Sequence, residues 1–156
     1  MSDNGNAFAI RAPSVFDGER FLPDHCVIVR QGTVAQLLPG NDCPRDLQRV
    51  ELATGTLAPG LIDLQVNGGG DLLFNNAPSA NTVHAMLAAH RGSGTTAILP
   101  TFLSDTRARQ QLAVAAVRAA RAAGNPGILG IHLEGPFFEP ARRGAHSAGM
   151  IRAPQD

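Results

Sequence analysis

Residues 131–146 read IHLEGPFFEPARRGAH, an apolar run that ends on a carboxylate, turns at Gly135 and Pro136, and reaches His146 twelve positions after Glu134. An acid that ends so apolar a run stands where a catalytic group could project from a strand, which makes Glu134 a candidate functional residue. The competing reading is a hydrogen-bonded surface glutamate. A second polar row lies in LIDLQVN. Strand alternation there puts Asp63, Gln65 and Asn67 on one face and Ile62, Leu64 and Val66 on the other. The neutral amides of Gln65 and Asn67 can hold a water or orient a neighbour, but they are poor primary ligands for zinc. In GILGIHLE the same alternation sets Gly130, His132 and Glu134 against Leu129, Ile131 and Leu133.

The elements that must carry these residues follow from periodicity. From Leu61 the chain reads as strand LIDLQVN, glycine-rich loop GGG, helix SANTVHAMLAAHRG, strand TTAILPTFL, helix DTRARQQLAVAAVRAARAAG and strand GILGIHLE. Strands alternating with helices of this length imply right-handed βαβ units and a parallel sheet. A polar row is costly to bury between two helix layers, but in a closed barrel it can face the axis and rise to a solvated mouth. Catalytic groups of such barrels project from the carboxyl ends of strands, where Glu134 stands. Ahead of this lies a β region, FAIRAPSVFDGERFLPDHCVIVRQGTVAQLLPG, divided by Asp-Gly, Leu-Pro and Gln-Gly turn signals. ATGTLAPG marks the boundary, which divides the chain into segments 1–56 and 57–156.

Composition narrows the function classes. The chain has 156 residues, 44% hydrophobic and 17% charged, enough for a real core. Its 13 basic and 13 acidic residues cancel, which argues against an electrostatic nucleic-acid or anionic-membrane binder. No run approaches the ~18 apolar residues of a membrane span, and the start MSDNGNAFAI lacks the pattern of a signal peptide. A soluble cytoplasmic protein is expected, with Cys26 and Cys43 read as two reduced thiols, a disulfide between them being open only in an oxidising compartment.

Other polar residues receive plainer readings. His25 lies in the β region. His84 and His90 sit six residues apart on one helix, off the i, i+4 spacing of a helical metal pair, so core or solvent roles are expected. His132 reads as a core histidine. Arg142 and Arg143 fit either a solvated loop pair or attraction of an anionic group. GGG at 68–70 lacks the P-loop pattern and reads as a flexible loop at a barrel mouth. On the second helix Leu112, Ala115, Ala116 and Ala119 are expected to pack inward, beneath a stripe of Arg107, Arg109, Arg118 and Arg121.

Three stretches together, APGLIDLQVNGGG, GTTAILPTFLSD and GIHLEGPFFEPARRGAH, resemble the amino-terminal part of the N-acetylglucosamine-6-phosphate deacetylases of the amidohydrolase superfamily. PGLID is shared by many amidohydrolases; HLEGPF followed by RRGAH is far more specific. The resemblance implies an α/β fold: a small β-sandwich segment over 1–56, then the first three strands of a (β/α)8 metal-dependent barrel. It implies hydrolysis of the N-acetyl group to acetate and glucosamine 6-phosphate by a metal-activated water, and homo-oligomeric complete members. Glu134 matches the family's metal-binding glutamate, and Ala145 and His146 match the pair that contacts the sugar. Gln65 and Asn67 stand where many amidohydrolases carry a second-metal H-x-H pair, which resembles single-metal members and implies one divalent ion, zinc or similar, per complete chain. The remaining histidine ligands and a general-base aspartate are expected beyond Asp156. A complete barrel takes roughly 250 residues, so this chain alone is expected to lack turnover and to fold poorly as a monomer. Two alternatives remain: a deacetylase of an isomeric amino-sugar phosphate or another amidohydrolase, and a non-catalytic truncated or assembly fragment.

Overall fold

The computed structural model describes residues 7–154; the polar start at 1–6 lies outside the described residues. The chain divides into two compact units, residues 1–59 and 60–156.

The first unit is a mainly antiparallel sheet. Strands β1 (Ala7–Phe16), β2 (Phe21–Arg30), β3 (Thr33–Pro39), β4 (Gln48–Glu51) and β5 (Thr56–Leu57) lie in the order β3-β2-β1-β4, with β5 beside the far end of β1. The first turn is tied by Asp17, whose Oδ1 accepts from the N–H groups of Glu19 and Arg20 at 2.9 Å each. The second places Gln31 and Gly32 at φ 50° and 74°, the paired positive angles of a two-residue hairpin that follows strand twist. Ala9, Cys26, Ile28, Cys43 and Leu47 form one buried cluster, and Ala12, Val15 and Val27 another. The expectation of two free thiols fails here. Cys26 on β2 and Cys43 after the turn that follows β3 form a disulfide, with Cα atoms 5.8 Å apart. Sequence separation gave no sign of it, because only the β2–β3 hairpin doubles the chain back far enough to bring the two together.

The second unit is mixed α/β. Its strands β6 (Leu61–Val66), β9 (Thr95–Leu103) and β10 (His132–Glu134) form a parallel sheet in the order β10-β9-β6. A short hairpin, β7 (Gly68–Gly69) and β8 (Leu72–Leu73), and helix α1 (Ala80–Arg91) join β6 to β9; helix α2 (Arg107–Ala122) joins β9 to β10. Both helices start on a side-chain cap. Ser79 Oγ accepts from Thr82 N–H at 3.2 Å and Thr106 Oγ1 from Arg109 N–H at 3.3 Å, caps worth about 1 kcal/mol each. The core between helices and sheet holds Val66, Phe74, Val83, Met86, Leu87, Ile98, Phe102, Val117 and Ile128, with Phe74 and Phe102 edge to face at 5.8 Å. Among the described residues no helix is long and apolar enough to cross a membrane.

Three local expectations are corrected, and the exposure of β6 adds to what alternation showed. The GGG stretch is an ordered hairpin rather than a flexible loop: Gly70 and Asp71 turn at φ 61° and 62°, and His90 Nε2–H donates to Gly68 O at 2.9 Å. On β6 only Val66 is buried, whereas Ile62 and Leu64 are exposed, because β6 is an edge strand with an irregular register against β9. The third strand is shorter than GILGIHLE. Ile128 makes an isolated bridge to Ile98, and the ladder resumes only at His132, since the backbone at Gly127 is drawn into a turn closed by Asn125. Helix α2 buries Ala113, Ala116, Val117 and Ala120, leaving Leu112 out at 56% exposure. The alanines allow closer approach to α1 and β9 than a face led by Leu112 would.

Candidate active site

The carboxyl ends of β6, β9 and β10 open onto one side of the second unit. Glu134 closes β10 beside Leu103, the last residue of β9. Gln65, one residue before the end of β6, reaches across and donates from Nε2 to Glu134 Oε2 at 3.1 Å, although 69 positions separate the two. The chain then turns through a cis Gly135–Pro136 peptide and a one-turn 3-10 helix (Pro140–Arg142) before returning His146 to the same carboxylate, with Nε2 3.3 Å from Oε1. His146 is nearly inaccessible at 5%, whereas the Glu134 side chain keeps 27% exposure toward an open cleft of about 340 Å³. Gln65, Asn67, Glu134, Ala145 and His146 all line that cleft, so the structure brings these five together.

The loop is held from within. Arg143 Nη1 donates to His146 O at 2.7 Å while His146 N–H donates to Arg143 O at 3.1 Å, so Arg143 is a loop brace rather than a freely solvated charge. Arg142 borders the cleft. His132 lies behind Glu134 on the same face and is half-buried, its Nδ1 3.2 Å from the hydroxyl of fully buried Thr101.

Asn75, Arg109, Ser104 and Phe138 support the site, and spacing does not single them out for it. Asn75 Oδ1 accepts from Leu103 N–H at 2.9 Å and its Nδ2 donates to Leu103 O at 3.3 Å, pairing with the end of β9 as a neighbouring strand would. Arg109 donates both to Asn75 O and to Asp105 Oδ2. Burial pushes the Asp105 carboxyl upward, but the Thr106 N–H and the Arg109 guanidinium outweigh it and hold the group below the usual carboxylate value. Ser104 and Phe138 flank the His146 ring. The one available hint was that Ser104 directly follows a strand end at the level of Glu134.

Among the described residues no group of three or more His, Cys, Asp and Glu side chains is placed to hold a metal ion. Glu134 alone offers an anionic oxygen to the cleft.

No protein-family model matches the chain. It is 42% identical over 134 residues to the N-acetylgalactosamine-6-phosphate deacetylase of Shewanella sp. (strain ANA-3), covering 84% of this chain and 34% of that protein. It is 30% identical over 131 residues to the N-acetylglucosamine-6-phosphate deacetylase of Haemophilus influenzae, with the same coverage. Among solved structures, the N-acetylglucosamine-6-phosphate deacetylase of Pasteurella multocida superimposes with a TM-score of 0.90 at 30% identity, over 96% of this chain and 40% of that one. The chain is a homologue of the amino-sugar-6-phosphate deacetylases. It spans about a third of the length of the curated relatives named here. Those relatives are named as deacetylases, and the backbone arrangement of this chain is shared with the Pasteurella structure over 96% of its length.

Proposed function

We propose that this chain forms the amino-terminal part of a metal-dependent deacetylase that releases acetate from N-acetylglucosamine 6-phosphate, its second unit being the start of a (β/α)8 barrel and its first part of a small β-sandwich. The observation that supports this reading is the convergence of Glu134, His146, Gln65, Asn67 and Ala145 on one cleft at the carboxyl ends of parallel strands. Glu134 would hold the divalent ion as one ligand of a set that these residues do not complete. When bound, such an ion supplies Lewis acidity that polarises an amide and acidifies water near neutral pH. Gln65 fixes one carboxylate oxygen through its hydrogen bond, so that Glu134 meets a cation in a set orientation. Asn67 and Ala145 shape the cleft floor, and His146 offers a ring nitrogen to a ligand oxygen.

A second reading has its own support: the 42% identity to the Shewanella protein favours the 4-epimer, N-acetylgalactosamine 6-phosphate, as substrate. One experiment separates the possibilities. Zinc binding by calorimetry and acetate release from each epimer are measured on a protein that carries this chain together with the remaining metal ligands, and on its Glu134→Ala variant. Loss of zinc together with turnover supports the reading, and the faster epimer names the substrate. Full zinc stoichiometry with undiminished acetate release in Glu134→Ala would sink it.

A further inference from the structure

The His146 ring is gripped by residues to which the deacetylase reading gives no part. Its Nδ1 faces Ser104 twice, with the backbone N–H at 3.3 Å and the hydroxyl oxygen at 2.9 Å. A backbone N–H can only donate, so Nδ1 must be the unprotonated nitrogen and the ring proton of neutral His146 sits on Nε2. That N–H then points at Glu134 Oε1, 3.3 Å away. The other tautomer would set N–H against N–H at Ser104 and a lone pair against a carboxylate. The hydroxyl also lies 3.4 Å from Glu134 O, a competing acceptor for its single proton, but its contact with Nδ1 at 2.9 Å is the shorter, and a proton directed there adds a second donor to the backbone one.

Space around the ring is arranged to the same end. The Phe138 ring lies against the imidazole at 4.3 Å between centroids. Gly135 has φ 92°, and a Cβ there would stand 2.1 Å from Ser104 Oγ and 2.6 Å from the Phe138 ring. A glycine at this position therefore leaves room for both groups that contact His146.

We propose that Ser104 is a positioning residue that holds His146 as the Nε2–H tautomer, so that the ring presents a donor, not a lone pair, to Glu134 and to an acceptor oxygen of a ligand in the cleft. Only the identity of that ligand rests on the deacetylase reading. When a cation engages the Glu134 carboxylate, the Nε2–H is free to turn its hydrogen bond to the ligand, and His146 cannot itself ligate through that nitrogen.

The test is 15N spectroscopy of histidine-labelled protein, recorded in the solid state so that association of chains does not limit it, with His146 assigned from the His146→Gln spectrum. The expected result is Nε2–H as the dominant tautomer. Ser104→Ala keeps the backbone donor but loses the hydroxyl, and the Nε2–H to Nδ1–H ratio should fall about fivefold, the equivalent of one neutral hydrogen bond. Ser104→Thr should restore it, while the other four histidines stay unmoved as a control on the fold. A dominant Nδ1–H form in the unaltered protein, or a ratio unchanged in Ser104→Ala, would overturn the proposal. Adding zinc and N-acetylglucosamine 6-phosphate to labelled protein that carries this chain together with the remaining metal ligands tests the other reading separately. No response of the His146 Nε2 signal would count against the deacetylase assignment and leave the tautomer result standing.

Discussion

Asn75→Ala should loosen the end of β9 without touching the cleft directly. At Leu103 one flank of the strand pairs with β10, but on the other flank the ladder with β6 ends at Val66 and Pro100. The Asn75 amide fills that place with two hydrogen bonds, accepting from Leu103 N–H at 2.9 Å and donating to Leu103 O at 3.3 Å. Each neutral bond contributes about 1 kcal/mol net, so their loss should cost about 2 kcal/mol locally, more if the Leu103 peptide stays dry. In an opening equilibrium 2 kcal/mol is a factor of roughly thirty. Hydrogen exchange followed by mass spectrometry on a peptide spanning 100–106 should show the Leu103 amide exchanging about that much faster, with residues 7–57 unchanged. Asn75→Asp keeps the acceptor but turns a carboxylate oxygen toward Leu103 O, so at neutral pH it should be no better than alanine. An unaltered Leu103 exchange rate in Asn75→Ala would refute the view that this side chain stands in for a strand.

Further outcomes follow from other parts of the fold. The Asp105 carboxyl is held below its ordinary value, so its stabilising effect is fully present above the unfolded-state pKa and disappears as pH falls through the folded-state one; Asp105→Asn should flatten the acid limb of the melting temperature against pH, and an unchanged limb would count against the Arg109 pairing. Gly135→Ala combines a φ of 92° with a clash against Ser104 and Phe138, so a loss of about 1–3 kcal/mol in urea denaturation is expected, and a neutral result would mean that the turn relaxes freely. Leu61, Ile62 and Leu64 are 64%, 58% and 61% exposed on the β6 edge, so the chain should associate as its concentration rises. Replacing Ile62 and Leu64 by threonine should shift size-exclusion profiles toward smaller species; no shift would place the sticky surface elsewhere.

Local chemistry determined much of this protein before any tertiary contact. Ser79 and Thr106 stand where helix caps are needed, the Asp-Gly and Gln-Gly pairs where the hairpins turn, and Glu134 at a strand end, because capping, turn and strand preferences depend on neighbours a few positions away. What depended on partners distant in sequence was not readable in that way. Which face of α2 turns inward, whether Ile62 and Leu64 are covered, and that Cys26 meets Cys43 were all decided by how elements stack, since burial and cross-linking belong to pairs of surfaces rather than to a segment. The site divides along the same line. Glu134 and His146 stand out by residue type and order, but the supports that orient them, Gln65 at 69 positions from Glu134 and Ser104 at 42 from His146, act through hydrogen bonds whose direction exists only once the parallel strands have aligned their carboxyl ends.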